Sequence, residues 1–177
     1  ILSVFAFANS SDTFLLLRAV DIGISPLLIV LIYAMYNLTY FLFSFPAGKL
    51  SDRFGRWNLI VAGWLVYSVV YAGMTLTDRY WIWVLFGLYG IYMALTEGVS
   101  KALIVDCVPP EKRGAALGLL YMILGFCALS SNVLTGFLWD YFGKSIPFIV
   151  GSVTSLAAIL LVIISGQNKR GVNALTE

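Results

Sequence analysis

Few side chains in this sequence can do chemistry, and most of them sit inside long apolar runs. Asp12 follows Asn9-Ser10-Ser11 and precedes Thr13 within the first run. On a continuous helix, the three-to-four-residue spacing puts Asn9, Asp12 and Thr13 on one side. A carboxylate there is costly while charged; it gains from water, a proton or a cation and loses from lipid. Its uses are proton exchange or pairing with a cationic solute, and the plainer alternative is a locally hydrogen-bonded Asp beside water. Glu97 and Lys101 are four residues apart with Glu nearer the helix start, the favourable order for a helical ion pair. Such a pair neutralises two expensive charges, and it can also act as a gate that breaks and reforms.

A further set is polar without charge. Tyr33, Tyr36, Asn37, Tyr40 and Ser44 follow a 3.6-residue period, Tyr89, Tyr92, Met93 and Thr96 recur in a later run, and Tyr121, Gly125 and Asn132 in another. Rings and amides in such stripes can line a pocket for an organic molecule, and cation–π contact favours a cationic one. Each Tyr taken singly serves equally well as an interfacial anchor or a packing residue. The sequence contains no nucleophile elbow, phosphate loop or paired metal ligands. It has no His, and its two cysteines, Cys107 and Cys127, have no ligand spacing. Neither catalysis nor a metal nor a cofactor is expected.

The elements that carry these groups are membrane spans. The chain is 60% hydrophobic and 11% charged, with a mean hydropathy of +0.92, against about 25% charged in a soluble domain. Too few charges remain to cover a water-facing surface. A net charge of +2 without a basic block argues against nucleic acid. A bilayer core about 30 Å thick needs about 20 apolar residues in a helix. Six segments qualify, near 1–17, 26–47, 59–76, 81–105, 115–139 and 146–165. Asn9-Ser10-Ser11 and Asn37-Leu38-Thr39 match the glycosylation pattern but lie within spans. Spans three and six carry no charge, so the polar groups fall on spans one, two, four and five.

Between spans two and three lies Gly48-Lys49-Leu50-Ser51-Asp52-Arg53-Phe54-Gly55-Arg56, and 88 positions later stands Gly136-Phe137-Leu138-Trp139-Asp140-Tyr141-Phe142-Gly143-Lys144. Gly, Leu, Asp, Phe, Gly and a cation share their offsets, and Gly63 and Gly151 follow at equal distance. Three crossings separate the copies, which would place them on opposite sides of the membrane. That is the signature of an inverted-topology repeat, although Gly and Asp also cap many unrelated turns. Lys49, Arg53, Arg56, Lys112, Arg113, Lys169 and Arg170 fall in one set of loops; Arg18, Arg79 and Lys144 fall in the other. Cations concentrate on the cytoplasmic side, so the Gly48–Arg56 segment and both chain ends are expected there.

Gly48, Leu50, Asp52, Arg53, Gly55 and Arg56 closely resemble the signature loop of the major facilitator superfamily, G-x-L-x-D-R-x-G-R-[RK]; Trp57 departs from its usual second cation. In that family the loop joins the second and third helices of each six-helix half, as here. The resemblance implies an all-α integral membrane fold: six transmembrane helices forming one half of the family fold, built as a 3+3 inverted repeat. The bundle would cover residues 1–165, with one repeat over about 1–77 and the other over about 78–165, and residues 166–177 would form a cytoplasmic polar tail. It places the third and sixth helices outermost. It implies that Asp106 pairs with Arg53 or Arg56 and that Asp52 faces a helix end of the other half. Span four has Glu97 and Lys101 but no Arg, and span five lacks Pro. These departures, with the short tail, suggest the carboxy-terminal half and a missing amino-terminal partner half.

The resulting expectation is a fragment of a secondary transporter in a cell membrane, the inner membrane of a bacterium. It would move a small organic solute by alternating access, with possible coupling to protons. Gly48, Asp52, Arg53, Gly55, Arg56 and Asp106 would form the conformational hinge. Asn9, Asp12, Tyr33, Asn37, Tyr40, Tyr89, Tyr92, Glu97, Lys101 and Asn132 would line the coupling or substrate cavity. The alternative is a non-transporting helical scaffold or receptor-like subunit on the same fold.

Overall fold

The computed structural model describes residues 2–9 and 12–166, and every regular element among them is a helix. In order these are α1 (Leu2–Ala8), α2 (Asp12–Asp21), α3 (Pro26–Phe54), α4 (Arg56–Thr75), α5 (Trp81–Asp106), a short 3-10 turn (Pro110–Lys112), α6 (Arg113–Phe142) and α7 (Ile146–Ile164). Five helices are long and apolar enough to cross a membrane: α3, α4, α5, α6 with the 3-10 turn ahead of it, and α7. The expected first span is not one such helix. It is divided into α1 and α2 at Asn9, and the stretch holding Ser10 and Ser11 lies outside the described residues. Asn, Ser and Asp side chains compete for backbone hydrogen bonds and favour helix ends over interiors. The polar tail after Gly166 also lies outside the described residues.

The expected polar loop at Gly48–Arg56 is a correction of another kind. Gly48 to Phe54 are the last turns of α3, and the helix stops only at Gly55 (φ 90°, ψ 143°). Leaving the apolar core does not break a helix whose backbone bonds are internal. Pro46 is accommodated within α3. What ends α3 is a backbone conformation that only glycine adopts readily. The second copy behaves alike: α6 runs to Phe142 and stops at Gly143 (φ 104°, ψ 158°). The 88-position correspondence therefore extends from residue types to backbone geometry.

α4 packs on α5 and α7, α3 packs on α5, and α1 lies against α6 and α7. The core is aromatic: Phe5, Trp64, Tyr67, Tyr71, Tyr89 and Tyr92 are all buried. Trp64, Tyr67 and Tyr71 recur along one side of α4. The facing side of α7 offers Gly151, Ser152, Ser155 and Ala158, small residues that let the rings approach. Spans three and six are thus well enclosed within this bundle, while α3 and α6 present most of their apolar surface outward. Absence of charge on α4 and α7 reflects a dry helix interface as much as any contact with lipid.

Serine hydroxyls hydrogen-bond across that interface. Ser68 Oγ donates to Ser152 O at 3.2 Å, and Ser152 Oγ returns a bond to Ser68 O at 3.0 Å. Ser155 Oγ donates to Trp64 O at 2.9 Å. Interhelical bonds of this type contribute about 0.6 kcal/mol, with an upper range near 1.7 kcal/mol. Ser152→Ala should lower stability by about that amount, measured by unfolding in detergent. A loss above about 3 kcal/mol would mean that packing, not the hydroxyl, carries the contact.

The connections alternate between two faces. At one, Arg56 at the start of α4 meets Asp106 at the end of α5. At the other, Arg18 Nε and Nη2 donate to Met74 O and Thr75 O at 3.2 and 3.3 Å, covering carbonyls left open by the end of α4. Lys144 reaches Asp21 at this same face. The α2–α3, α4–α5 and α6–α7 connections thus meet at one face, here termed the far face, and the α3–α4 connection lies at the hinge face.

Candidate functional site: a carboxylate at a helix break and an adjoining aromatic cavity

Asp12 is the first residue of α2, and two tyrosines from other helices converge on it. Tyr89 of α5 donates to Asp12 Oδ1 at 2.6 Å. Tyr36 of α3 points its hydroxyl at Oδ2 at 3.4 Å, a long and weak contact. The two rings lie 5.4 Å apart, and both are almost fully buried. The stripes of α3 and α5 therefore meet at this carboxyl. The break in the first span means that Asn9 and Asp12 do not share a continuous helical side. Asn9 follows α1, its N–H closing the last turn on Phe5 O at 3.0 Å.

One to two turns towards the hinge face lies a second polar cluster. Tyr40 donates to Glu97 Oε2 at 2.6 Å, and Lys101 Nζ donates to Oε1 at 2.8 Å. The same ammonium sits 5.6 Å from the ring centre of Tyr121 on α6. The expected Glu97–Lys101 pair is present, and it joins α3, α5 and α6 rather than α5 alone.

Beside the second cluster is a cavity of about 160 Å³ lined by α1, α4, α5 and α6, which Glu97 and Lys101 border and Asp12, Tyr36 and Tyr89 do not. Phe5 stacks on Trp64 at 4.5 Å and forms its apolar wall with Tyr92; Asn9, Glu97 and Lys101 supply polar edges. Cavities near 150 Å³ hold a benzene-sized group. The Asn9 side-chain oxygen is buried without a hydrogen-bond partner among the described residues, and such a group is costly unless something completes it.

Not every expected site residue belongs here. Tyr33 is partly exposed on the outer side of α3, and Asn37 Nδ2 bonds back to Tyr33 O within α3 at 2.8 Å. Asn132 is half-buried on α6 but does not line this cavity. Conversely, Phe5 and Trp64 are cavity residues that the sequence reading passed over. Trp64 lies on a span assigned to lipid for want of charge; the signal was its recurrence with Tyr67 and Tyr71 at helical spacing.

At the hinge, Arg56 is the cation that takes Asp106, Nε to Oδ2 at 3.1 Å. It also meets Asp52 Oδ1 at 2.5 Å and the Ser51 hydroxyl. Arg53 lies beside the Phe54 ring instead. Gly48 is within α3, two turns ahead of the break at Gly55. At the far face, Asp21 takes Lys144 and, at 2.9 Å, Arg18 Nη1.

The family model described as Major Facilitator Superfamily matches residues 1–174. An uncharacterized MFS-type transporter of Methanocaldococcus jannaschii is 34% identical over 168 residues, which are 91% of this chain and 42% of that protein. The multi-drug resistance efflux pump PmrA of Streptococcus pneumoniae is 32% identical over 123 residues, 68% of this chain and 31% of that protein. The class C tetracycline resistance protein of Escherichia coli is 30% identical over 128 residues, 72% and 32% of the two chains. The chain thus spans less than half the length of these relatives.

Proposed function

The chain belongs to the Major Facilitator Superfamily, and from that premise we propose that it is the carboxy-terminal six-span half of a secondary transporter for a small organic solute. It works against a second half, with the solute held between them near the middle of the bilayer. α1 and α2 together make the first crossing: their 7 and 10 helical residues, at about 1.5 Å each, supply roughly 25 Å of a core about 30 Å thick. The break falls close to the centre of that length. Interrupted helices at such a depth line substrate and ion sites, because irregular backbone is tolerated only beside protein or water.

The observation that carries this reading is Asp12 at the break, held by phenols from two other helices. A carboxyl kept at mid-depth is expensive, and a scaffold has no use for it. In a transporter it takes up and releases the coupling proton, and Tyr36 and Tyr89 hold it while charged. The cavity bordered by Asn9, Glu97 and Lys101 is this half's contribution to the solute site. The names of the efflux relatives support an organic solute.

The two halves of the chain form a 3+3 inverted repeat, about 1–77 and 78–165. The matching breaks at Gly55 and Gly143 support this. So does the exchange of long helices, α3 packing on α5 and α6 on α1. The hinge face is cytoplasmic, in keeping with its Lys and Arg excess, and the bilayer is the cell membrane.

The test is full-length protein in liposomes with an imposed pH gradient, screened with tetracycline and a panel of other organic solutes. Gradient-dependent movement of at least one is expected. Topology is checked alongside, in intact cells. A Cys replacing Arg79 should react with an impermeant thiol reagent from outside, and one replacing Arg53 should not. The reverse pattern would invert the proposed orientation.

A further inference from the structure

The cavity beside the Glu97–Lys101 pair has all its walls within this chain. One wall is aromatic. Phe5 of α1 lies nearly parallel to Trp64 of α4, with ring centres 4.5 Å apart at 12°. Tyr92 of α5 stands 6.1 Å from Phe5. All three rings are almost fully buried, so they belong to the core of the bundle rather than to a surface shared with a second half. A volume of about 160 Å³ admits one six-membered ring with a small substituent. A fused multi-ring solute does not fit whole.

Rings alone favour a cation, but the polar edge of the cavity does not. Glu97 already accepts from Lys101 at 2.8 Å and from Tyr40 at 2.6 Å. The Lys101 ammonium itself lies 5.6 Å from the ring centre of Tyr121. From α1 and α4 the cavity receives only uncharged side chains. A charged guest would lose its water and find no unmatched counter-charge. The polar group left unfilled among the described residues is the buried side-chain oxygen of Asn9. Asn9 stands four positions after Phe5, and its N–H closes the last turn of α1 on Phe5 O, so ring and amide share one side. An amide oxygen only accepts; the guest must donate.

We propose that this cavity takes a single uncharged aromatic ring bearing a hydrogen-bond donor, a phenolic O–H or an aromatic N–H. The ring packs against Phe5, Trp64 and Tyr92, and the donor completes the Asn9 oxygen. The proposal rests on the reading of this cavity as part of the solute site: the solute keeps its bulk between the halves and inserts one ring into this one.

Four probes test it by fluorine NMR on full-length protein in nanodiscs: para-fluorophenol, fluorobenzene, para-fluorobenzoate and para-fluorobenzylammonium. Affinities are referred to the bilayer concentration measured with protein-free nanodiscs, which cancels simple partitioning. The phenol should bind about 5- to 10-fold tighter than fluorobenzene, as one net hydrogen bond supplies. Both charged probes should bind more weakly than either. Asn9→Leu should bring the phenol-to-fluorobenzene ratio to about one, with fluorobenzene unchanged. Should Asn9→Leu not fold, the wild-type order of the four probes decides, together with Ser100→Leu, which narrows the cavity and should weaken both neutral probes. A charged probe binding tightest, or a phenol preference that survives Asn9→Leu, would overturn the ring site and leave the transport reading intact. So would transport of a screened solute that saturating para-fluorophenol does not slow. Phenol binding of the expected kind in a protein that moves no solute would overturn the transport reading alone.

Discussion

Asp12→Asn should leave solute exchange in place while abolishing accumulation driven by a pH gradient. An amide has the shape of a protonated carboxyl, and its oxygen can still accept from Tyr89, now at 2.6 Å from Oδ1. The contact to Tyr36 at 3.4 Å is weak already, so little folding energy is at stake. What the amide cannot do is release a proton. One proton moved per solute across a gradient of one pH unit supports roughly a tenfold solute ratio, since one pH unit is about 1.4 kcal/mol. The variant should bring that ratio to about one. Reconstituted full-length protein, assayed for exchange and for gradient-driven uptake, separates the possibilities. Both activities falling together with the amount of folded protein would make Asp12 structural. Undiminished accumulation would remove it from the mechanism and move the coupling group into the other half.

The second large effect concerns Gly90, where α5 packs directly on the backbone of α3. A β-carbon at Gly90 would lie 2.6 Å from the backbone oxygen of Tyr36, 2.9 Å from Thr39 Cβ and 3.1 Å from the backbone nitrogen of Tyr40. Backbone atoms of a long helix cannot step aside, so the two helices must separate. That separation pulls Tyr36 away from Tyr89 and Asp12, and Tyr40 away from Glu97. Gly90→Ala should cost about 1–3 kcal/mol, the range for overpacked interfaces, and Gly90→Val more. Gly98 provides the control on the same helix. Nothing lies within 4 Å of its added β-carbon, and Gly98→Ala should be neutral or slightly stabilising. Thermal unfolding of the three variants tests this; equal tolerance of Ala at both positions would mean that α3 and α5 are not held at this distance.

What was legible in the sequence followed from rules that act along the chain. Long apolar runs located α3 to α7, and the i,i+4 spacing of Glu97 and Lys101 anticipated their pair. The signature loop narrowed the partner of Asp106 to two arginines, and geometry chose Arg56, because the turn at Gly55 aims it along the start of α4 towards α5. What was not legible depended on which helices meet. Hydropathy alone carried the first run across Asn9 to Asp12, although four consecutive polar residues were a sign of a break. Missing charge on α4 and α7 read as lipid contact, whereas Trp64, Tyr67 and Tyr71 pack against small residues of α7. The meeting of Tyr36 and Tyr89 at Asp12 involves three helices at once, which no single periodicity encodes.

The central claim is that the cavity of α1, α4, α5 and α6 opens to each side of the membrane in turn. Ser100 lines it, and Ser100→Cys is nearly isosteric. In full-length protein with Cys107 and Cys127 replaced, the reaction of that single thiol with an impermeant reagent can be timed from each side. Alternating access predicts labelling from both sides, and a solute found in the liposome screen should speed one rate while slowing the other. Labelling from one side only, at a rate that no solute changes, would contradict the account and favour a static scaffold.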